Sequence, residues 1–189
     1  MSVDPRILPG ARRAIELHGW QGATLERIAA EAGTSRMTLH RRGVTRDGVL
    51  SALAASLEAQ YRDALWPALT APGDGRARLE QALEALCGVV EENLSLVAAL
   101  DDRPRDAIFH EDETGTGLTR STFTGPVERI LRDGAADGSL QALEDPAETA
   151  TVLFNLIGWT YRHLRRGHGW TPERTTRNVL SIALDGVAR

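Results

Sequence analysis

The sequence predicts an all-α protein with an N-terminal helix-turn-helix unit and a larger helical C-terminal region. Three observations predict this fold class. Apolar residues recur at helical spacing along most of the 189 residues, and no segment alternates convincingly in the manner of a β-strand. A short basic helix follows a glycine turn at Gly33. The last two predicted helices are apolar on more than one face, which indicates packing on several sides.

The first 50 residues contain three short helices and the beginning of a fourth. The first helix is predicted over about residues 4–18. The second begins after Thr24, and Gly33 can adopt the left-handed conformation that ends it. Ser35 then caps a third helix over residues 36–42. This succession is a helix-turn-helix.

The third helix carries basic and polar side chains suited to the major groove, where its first residues face base edges. Arg36, Thr38 and His40 are expected to reach bases or nearby sugars, whereas Arg41 and Arg46 are expected to hold phosphates. A contact with a thymine methyl and interior packing are both open for Met37, and Arg42 has no assigned contact. With two hydroxyls at helix starts, the predicted DNA-binding residues are Thr24, Ser35, Arg36, Met37, Thr38, His40, Arg41 and Arg46.

The remaining helices are predicted from apolar stripes and from proline and glycine breaks. Pro67 to Gly75 reads as a loop, the segment 101–117 as an acidic loop, and Pro126 is expected to interrupt its helix. The predicted helices cover about residues 46–66, 76–93, 94–100, 118–136, 145–166 and 172–187.

The last two of these helices are predicted to form a dimer interface. The helix over 145–166 is apolar around more than half of its circumference, which suits a helix packed on both sides. With the helix over 172–187 it can form an antiparallel hairpin whose outer face needs a partner. A second copy of the chain is the simplest partner, although a central position in a monomer would also explain the pattern.

Charge and composition narrow the function classes. Residues 1–48 contain eight arginines and five acidic residues, whereas the whole chain has a net charge of −4. A basic N-terminal part on an acidic body suits DNA binding at one end. The chain has no apolar run long enough for a membrane span and no apolar signal core, which predicts a cytoplasmic protein. Cys87 is the only cysteine, so a disulfide framework is excluded.

Residues 11–53 resemble the DNA-binding domain of the TetR family of bacterial transcriptional repressors. The resemblance implies a DNA-binding domain over 1–47 and a regulatory and dimerisation domain over 48–189. It implies a homodimer that binds double-stranded, palindromic operator DNA and is released by a small-molecule effector. The matching residues are Ala14, Leu17, Gly19, Trp20, Ala23, Thr24, Ile28, Ala29, Ala32, Gly33, Ser35, Thr38, Leu39, Arg41, Arg46 and Leu50.

The chain departs from the family pattern at two positions. His40 stands where the family usually has a tyrosine that contacts phosphate, and Gly43 stands where it has a phenylalanine that fills the space beside the recognition helix. Gly43→Phe is therefore expected to stabilise this region, unless Val44 already occupies the space. The departures leave an alternative function open: a dimeric ligand-binding or protein-interaction module that has lost operator binding.

The resemblance places an effector pocket among the C-terminal helices. A polar amide such as that of Asn93 or Asn155 needs a partner among apolar neighbours, either a ligand or a backbone group. The predicted ligand-binding residues are Leu86, Val90, Asn93, Phe109, Phe123, Asn155 and Trp159.

Motifs for catalysis and cofactor binding are missing from the sequence. It has no glycine-rich phosphate loop, no His-Glu-x-x-His motif and no cysteine pair, so we expect neither an enzyme nor a cofactor. His163 and His168 are more simply explained as solvated residues at a helix end than as metal ligands.

Overall fold

The computed structural model of this chain describes residues 3–101 and 120–187. Throughout those two ranges the structure is helical and has no β-strand, which confirms the all-α prediction. In the same ranges no helix is long and apolar enough to cross a membrane. After a 3₁₀ turn at Pro5–Ile7, the helices are α1 (Leu8–Gly22), α2 (Leu25–Glu31), α3 (Arg36–Arg41), α4 (Arg46–Thr70), α5 (Gly75–Glu92), α6 (Leu94–Asp101), α7 (Arg120–Asp137), α8 (Pro146–Asn155), α9 (Arg162–Arg166) and α10 (Pro172–Asp185).

The chain forms two compact units. Of the described residues, the head contains 3–57 and 93–101, and the body contains 58–92 and 120–187. These are packing units, so the predicted functional boundary at residue 47 stays a prediction. The segment around α6 packs with the head although it lies in the middle of the sequence.

Close helix packing defines the head. A Cβ atom added to Gly10 of α1 would lie 2.5 Å from the backbone nitrogen of Ala32, so only glycine permits this approach of α1 to the end of α2. Thr24 and Ser35 cap the next two helices, as predicted, by accepting hydrogen bonds from the amides of Arg27 and Thr38. The largest fully buried head side chains are Ile15, Ile28, Leu39, Leu50 and Leu53.

The body has its own apolar core. A Cβ atom added to Gly75 would lie 2.1 Å from the Cα atom of Gly134, so α5 and α7 meet through two glycines. Asp137 accepts a hydrogen bond from the Gly75 amide at 2.7 Å and caps the first turn of α5. The largest fully buried side chains of the body are Leu65, Leu79, Leu83, Leu86, Ile130, Leu131 and Tyr161.

Two prolines lie inside helices that they were expected to break. Helix α4 continues through Pro67 to Thr70, whose hydroxyl donates to the Trp66 carbonyl at 3.1 Å. Helix α7 continues through Pro126, and the hydroxyl of Tyr61 donates to the Phe123 carbonyl at 2.7 Å in the turn before it. The expected breaks therefore do not occur, although each proline leaves the carbonyl four residues before it without a helical amide donor.

The predicted helix over 145–166 consists of three pieces. Leu156–Tyr161 forms a π-helical turn between α8 and α9. A π turn changes which side chains share a face, because it inserts extra backbone into the α-helical repeat. Burial along these pieces follows one stripe, with Leu153, Ile157 and Tyr161 buried at intervals of four residues, whereas Val152 and Trp159 are exposed.

Candidate DNA-binding surface and regulatory core

Helix α3 presents most of its predicted DNA-binding side chains at the surface. Leu39 is buried and anchors the helix to the head. Met37 is 68% exposed, so the packing interpretation of this residue is wrong. Thr38 is half-buried, and its hydroxyl lies 2.9 Å from the hydroxyl of Ser35. The other exposed side chains of the helix are Arg36, His40 and Arg41.

One glycine lies in the turn before α3, and another follows the end of α3. Gly33 has φ 63° and Gly43 has φ 65°, the left-handed conformation that costs an L-residue free energy. After Gly43, the Val44 amide donates to the Leu39 carbonyl at 3.0 Å, and both side chains are buried. Together with the bond from the Gly43 amide to the His40 carbonyl at 2.9 Å, this hydrogen bond forms a Schellman motif.

Val44, the residue after Gly43, is therefore buried in the head. The left-handed backbone at Gly43 disfavours any side chain, which argues against the expectation that Gly43→Phe stabilises the head. The departure at Gly43 thus gives no physical reason to doubt that α3 is well formed.

Arg46 holds the start of α4 against the end of α1. Its guanidinium carbon lies 4.4 Å from the centre of the Trp20 ring, and its Nη2 donates to the Trp20 carbonyl at 2.5 Å. The side chain is half-buried. The predicted phosphate contact of Arg46 stays a prediction.

A charged cluster not predicted from the sequence lies beside the recognition helix. Asp4 binds Arg6 at 2.7 Å and Arg42 at 3.2 Å, and we call these three residues the Asp4 cluster. The Arg6 side chain and the Arg6 amide hold the pKa of Asp4 well below its usual value, at about 2, with a smaller contribution from Arg42. The sequence shows an aspartate at position 4 and a basic pair at 41–42. It does not predict that Asp4 contacts Arg42, because the two residues are 38 positions apart.

Part of the predicted ligand-binding set meets in the body. Phe123 stacks edge-on with Tyr61, with ring centres 5.0 Å apart, and lies 5.5 Å from Phe154. Leu86 is buried in the same core, and Val90 is a partly buried residue packed against it. These residues form a packed aromatic and aliphatic region of the body core.

Other members of that set lie elsewhere. Asn93 is buried in the head, where its side-chain oxygen accepts a hydrogen bond from Arg12. Asn155 is exposed, and its amide donates to the Thr151 carbonyl at 2.8 Å. Trp159 is 48% exposed and lies beneath the guanidinium of Arg162. These placements argue against a shared pocket, since the two amides already have protein partners and Trp159 faces solvent. Phe109 lies outside the described residues.

A polar cluster in the body was also missed by sequence reasoning. Arg165 binds both carboxylate oxygens of Glu91, at 2.6 and 2.7 Å, and the Tyr161 hydroxyl donates to Glu91 at 3.0 Å. The Arg165 hydrogen bonds hold the pKa of Glu91 below its usual value, and burial raises the pKa of Tyr161 to about 12. The i, i+4 spacing of Tyr161 and Arg165 places both on one helix face, but only the fold brings α5 to that face.

The predicted absence of a metal site can be compared with the geometry. Within residues 3–101 and 120–187, no three His, Cys, Asp or Glu side chains are grouped as metal ligands. The rings of His163 and His168 lie 5.1 Å apart in an edge-on arrangement, and both residues are exposed.

Comparison with known protein families identifies the family of this chain. Residues 7–53 match the family of bacterial regulatory proteins, tetR family, and residues 72–187 match the tetracyclin repressor-like C-terminal domain. The chain belongs to the TetR family. It is a TetR-like DNA-binding transcriptional regulator, and the alternative of a module without operator binding is not favoured.

Solved TetR structures share its fold over nearly the whole length. A TetR family transcriptional regulator, PfmR from Thermus thermophilus, has 21% identity and a TM-score of 0.75, and the match covers 97% of this chain and 100% of that chain. The ketosteroid transcriptional regulator KstR2 of Mycobacterium tuberculosis has 15% identity and a TM-score of 0.71, with 100% and 97% covered. SmeT, the repressor of the Stenotrophomonas maltophilia multidrug efflux pump SmeDEF, has 19% identity and a TM-score of 0.68, with 100% and 92% covered. Among curated proteins, none matches this TetR sequence.

Proposed function

We propose that this regulator is a homodimeric repressor that binds a palindromic operator and is released by a small apolar effector. The observation that carries the proposal is the exposed face of α3, with Arg36, Met37, His40 and Arg41 at the surface around one buried anchor. A helix of this kind reads bases in the major groove, and two copies read two half-sites. The SmeT relative is itself described as a repressor.

Exposed apolar side chains support the dimer. Val152 is 65% exposed and Ile182 is 68% exposed, and Trp159 in the π turn is also exposed. These are large apolar residues on the last helices of the body, where a folded monomer gains nothing by placing them in water. A two-fold interface that included these residues would remove them from solvent in both copies.

The aromatic region of the body is the proposed effector site. Phe123, Phe154 and Tyr61 surround it, with Leu86 and Val90 from α5. Phe154 and Val90 are only partly buried, so the region adjoins the surface of the body. We infer an apolar or aromatic effector, because these residues offer dispersion contacts and few polar groups. Phe109 stays in the predicted set.

Operator selection from a random duplex library tests the DNA-binding part. The unmodified chain should enrich an inverted repeat, and Arg36→Ala should weaken its binding. Arg129→Ala is the matched control, because Arg129 is an exposed arginine of the body. Enrichment of no sequence, or of the same sequences by Arg36→Ala with unchanged affinity, would contradict the proposal.

Release by an effector needs a separate test. A panel of apolar small molecules is added to the operator complex, and fluorescence anisotropy of labelled operator reports release. Val90→Phe should fill the proposed site and abolish the response while operator binding persists. A response that survives in Val90→Phe would place the effector elsewhere.

The proposal assigns binding rather than a reaction to the chain. TetR regulators are generally non-enzymatic, and DNA binding explains the exposed basic helix without a catalytic group. A repressor of bacterial genes meets its operator in the cytoplasm, which is where we place this protein.

A further inference from the structure

The Asp4 cluster lies on one flank of the recognition helix. Met37 and Arg41, four residues apart, form the centre of the exposed face, opposite buried Leu39. Arg42 follows Thr38 by four residues and lies on the flank, where its Nη1 contacts the Asp4 carboxylate at 3.2 Å.

A flank of this helix is expected to face a sugar-phosphate backbone. An α-helix with its side chains is about 10–12 Å wide, and the major groove is about 12 Å wide. When the central face points at the bases, each flank therefore lies against one wall of the groove. The wall is lined with phosphates, so cations on the flank meet negative charge.

The cations of this flank already have a carboxylate partner. The Arg6 side chain is 84% exposed and that of Arg42 is 54% exposed, whereas Asp4 is only 22% exposed beneath them. Asp4 accepts the Arg6 amide and Nε on Oδ1, at 3.0 and 3.1 Å, and the Arg6 and Arg42 guanidinium groups on Oδ2. Both guanidinium groups are accessible, and the Asp4 carboxylate offsets part of the positive charge that they present to a phosphate.

We propose that Asp4 attenuates the DNA affinity of the head by competing with the phosphate backbone for Arg42 and Arg6. This inference deepens the proposed operator binding and rests on it for the orientation of α3. Backbone contacts carry no sequence information. Asp4 therefore weakens binding to every duplex and leaves sequence discrimination to the base-facing side chains. It acts through the two arginines and is a positioning residue.

Asp4→Asn isolates the charge from the fold. An asparagine oxygen still accepts the Arg6 amide and preserves the cap of the 3₁₀ turn, while the negative charge disappears. Asp4→Ser keeps a capping hydroxyl and serves as a second variant if the first one folds poorly. Glu16→Gln is the matched control, because it also removes one exposed carboxylate of the head.

The measurement is the dissociation constant for a mixed-sequence duplex at several salt concentrations. Asp4→Asn should bind about two- to fivefold more tightly at about 0.1 M salt, the range that one exposed ion pair represents. The log–log salt slope should steepen by about 1–2, since each freed arginine then releases a counterion on binding phosphate. Glu16→Gln should change the affinity less than Asp4→Asn does and leave the slope unchanged.

An Arg6→Ala and Arg42→Ala background completes the cycle. In this background, Asp4→Asn should raise the DNA affinity by no more than Glu16→Gln does, because both cations through which Asp4 acts are gone. An affinity for Asp4→Asn that is unchanged or lower, a gain equal to that of Glu16→Gln, or a gain that persists without the two arginines would overturn the inference. The mixed-sequence duplex needs no operator, so this failure is distinguishable from a failed operator selection.

Discussion

Gly43 determines how the recognition helix ends. Its φ of 65° turns the chain so that the Val44 amide reaches the Leu39 carbonyl, and Val44 then packs inside the head. A side chain at position 43 would incur the cost of a left-handed residue, about 1–2 kcal/mol. The chain therefore ends this helix with a left-handed glycine and a buried valine, whereas the family usually has a phenylalanine at position 43.

Gly43→Phe should lower the free energy of unfolding by about 1–2 kcal/mol. Urea denaturation measures the loss, and amide exchange over α3 should become faster. Gly88→Ala is the control of opposite sign: it lies inside α5, a Cβ atom there meets nothing within 4 Å, and the variant should gain about 0.5–1 kcal/mol. A Gly43→Phe protein as stable as the parent would mean that the turn can rearrange.

Arg41→Ala and Arg36→Ala should differ in kind. Arg41→Ala is expected to weaken binding to all duplexes and flatten the salt dependence, because a phosphate contact carries no base information. Arg36→Ala should instead change preference among operators, by about 1–3 kcal/mol if it contacts guanine through two hydrogen bonds. Competition binding on operator variants separates them, and parental behaviour of both proteins would contradict the recognition-helix assignment.

Local signals predicted these residues better than tertiary ones. Ser35 and Thr24 cap their helices as predicted, because a cap depends on residues three positions away. The partners of Asn93 and Arg46 were not predicted, since Arg12 and Trp20 lie 81 and 26 positions away. A sequence pattern contains no information about such a distant contact.

At the scale of elements, the π turn and its neighbours organise the body. The turn ends at Tyr161, whose hydroxyl reaches Glu91, and Arg165 lies one helical turn further along the chain. Glu91 therefore ties α5 to the π turn and to α9 through three hydrogen bonds. The apolar periodicity of 145–166 predicted a helical segment but not the π turn that divides it, because the extra backbone of a π turn leaves no compositional signal.

Glu91→Gln should destabilise the body by about 1–2 kcal/mol at pH 7, because the bonds to Arg165 lose their charge. The folded pKa of Glu91 lies below its usual value, so this stability is present above the unfolded pKa and is lost as pH falls through the folded pKa. Urea unfolding from about pH 7 down to about pH 3 should therefore show a smaller loss for the variant than for the parent.

Glu92→Gln provides the comparison for that experiment. Glu92 is the next residue on α5 and is exposed, so its replacement should leave both stability and pH dependence almost unchanged. Equal behaviour of the two variants would show that the Glu91 pair contributes no net stability.

At the scale of the molecule, composition and period predicted the fold class, and the family resemblance predicted the role of each half. The sequence did not predict that α6 packs with the head, because nothing in its apolar stretch indicates which unit it packs against. Nor did it separate the buried from the exposed face of the last helices, where Leu153 is buried and its neighbour Val152 is exposed. That distinction changes the design of a test for the dimer.

Val152→Glu combined with Ile182→Glu should give a soluble, folded monomer. Both side chains are exposed, so charge there costs the monomer little, whereas two carboxylates per copy would be buried without partners in a two-fold interface. Light scattering should report half of the parental mass with an unchanged circular dichroism spectrum.

Leu153→Glu combined with Ile157→Glu is the contrasting pair: these residues are buried in the body core, and their replacement should unfold it. The monomer should also lose most of its operator affinity, because each head then contacts one half-site without the gain of linkage. A folded dimer that persists in the Val152 and Ile182 variant would place the interface on another surface.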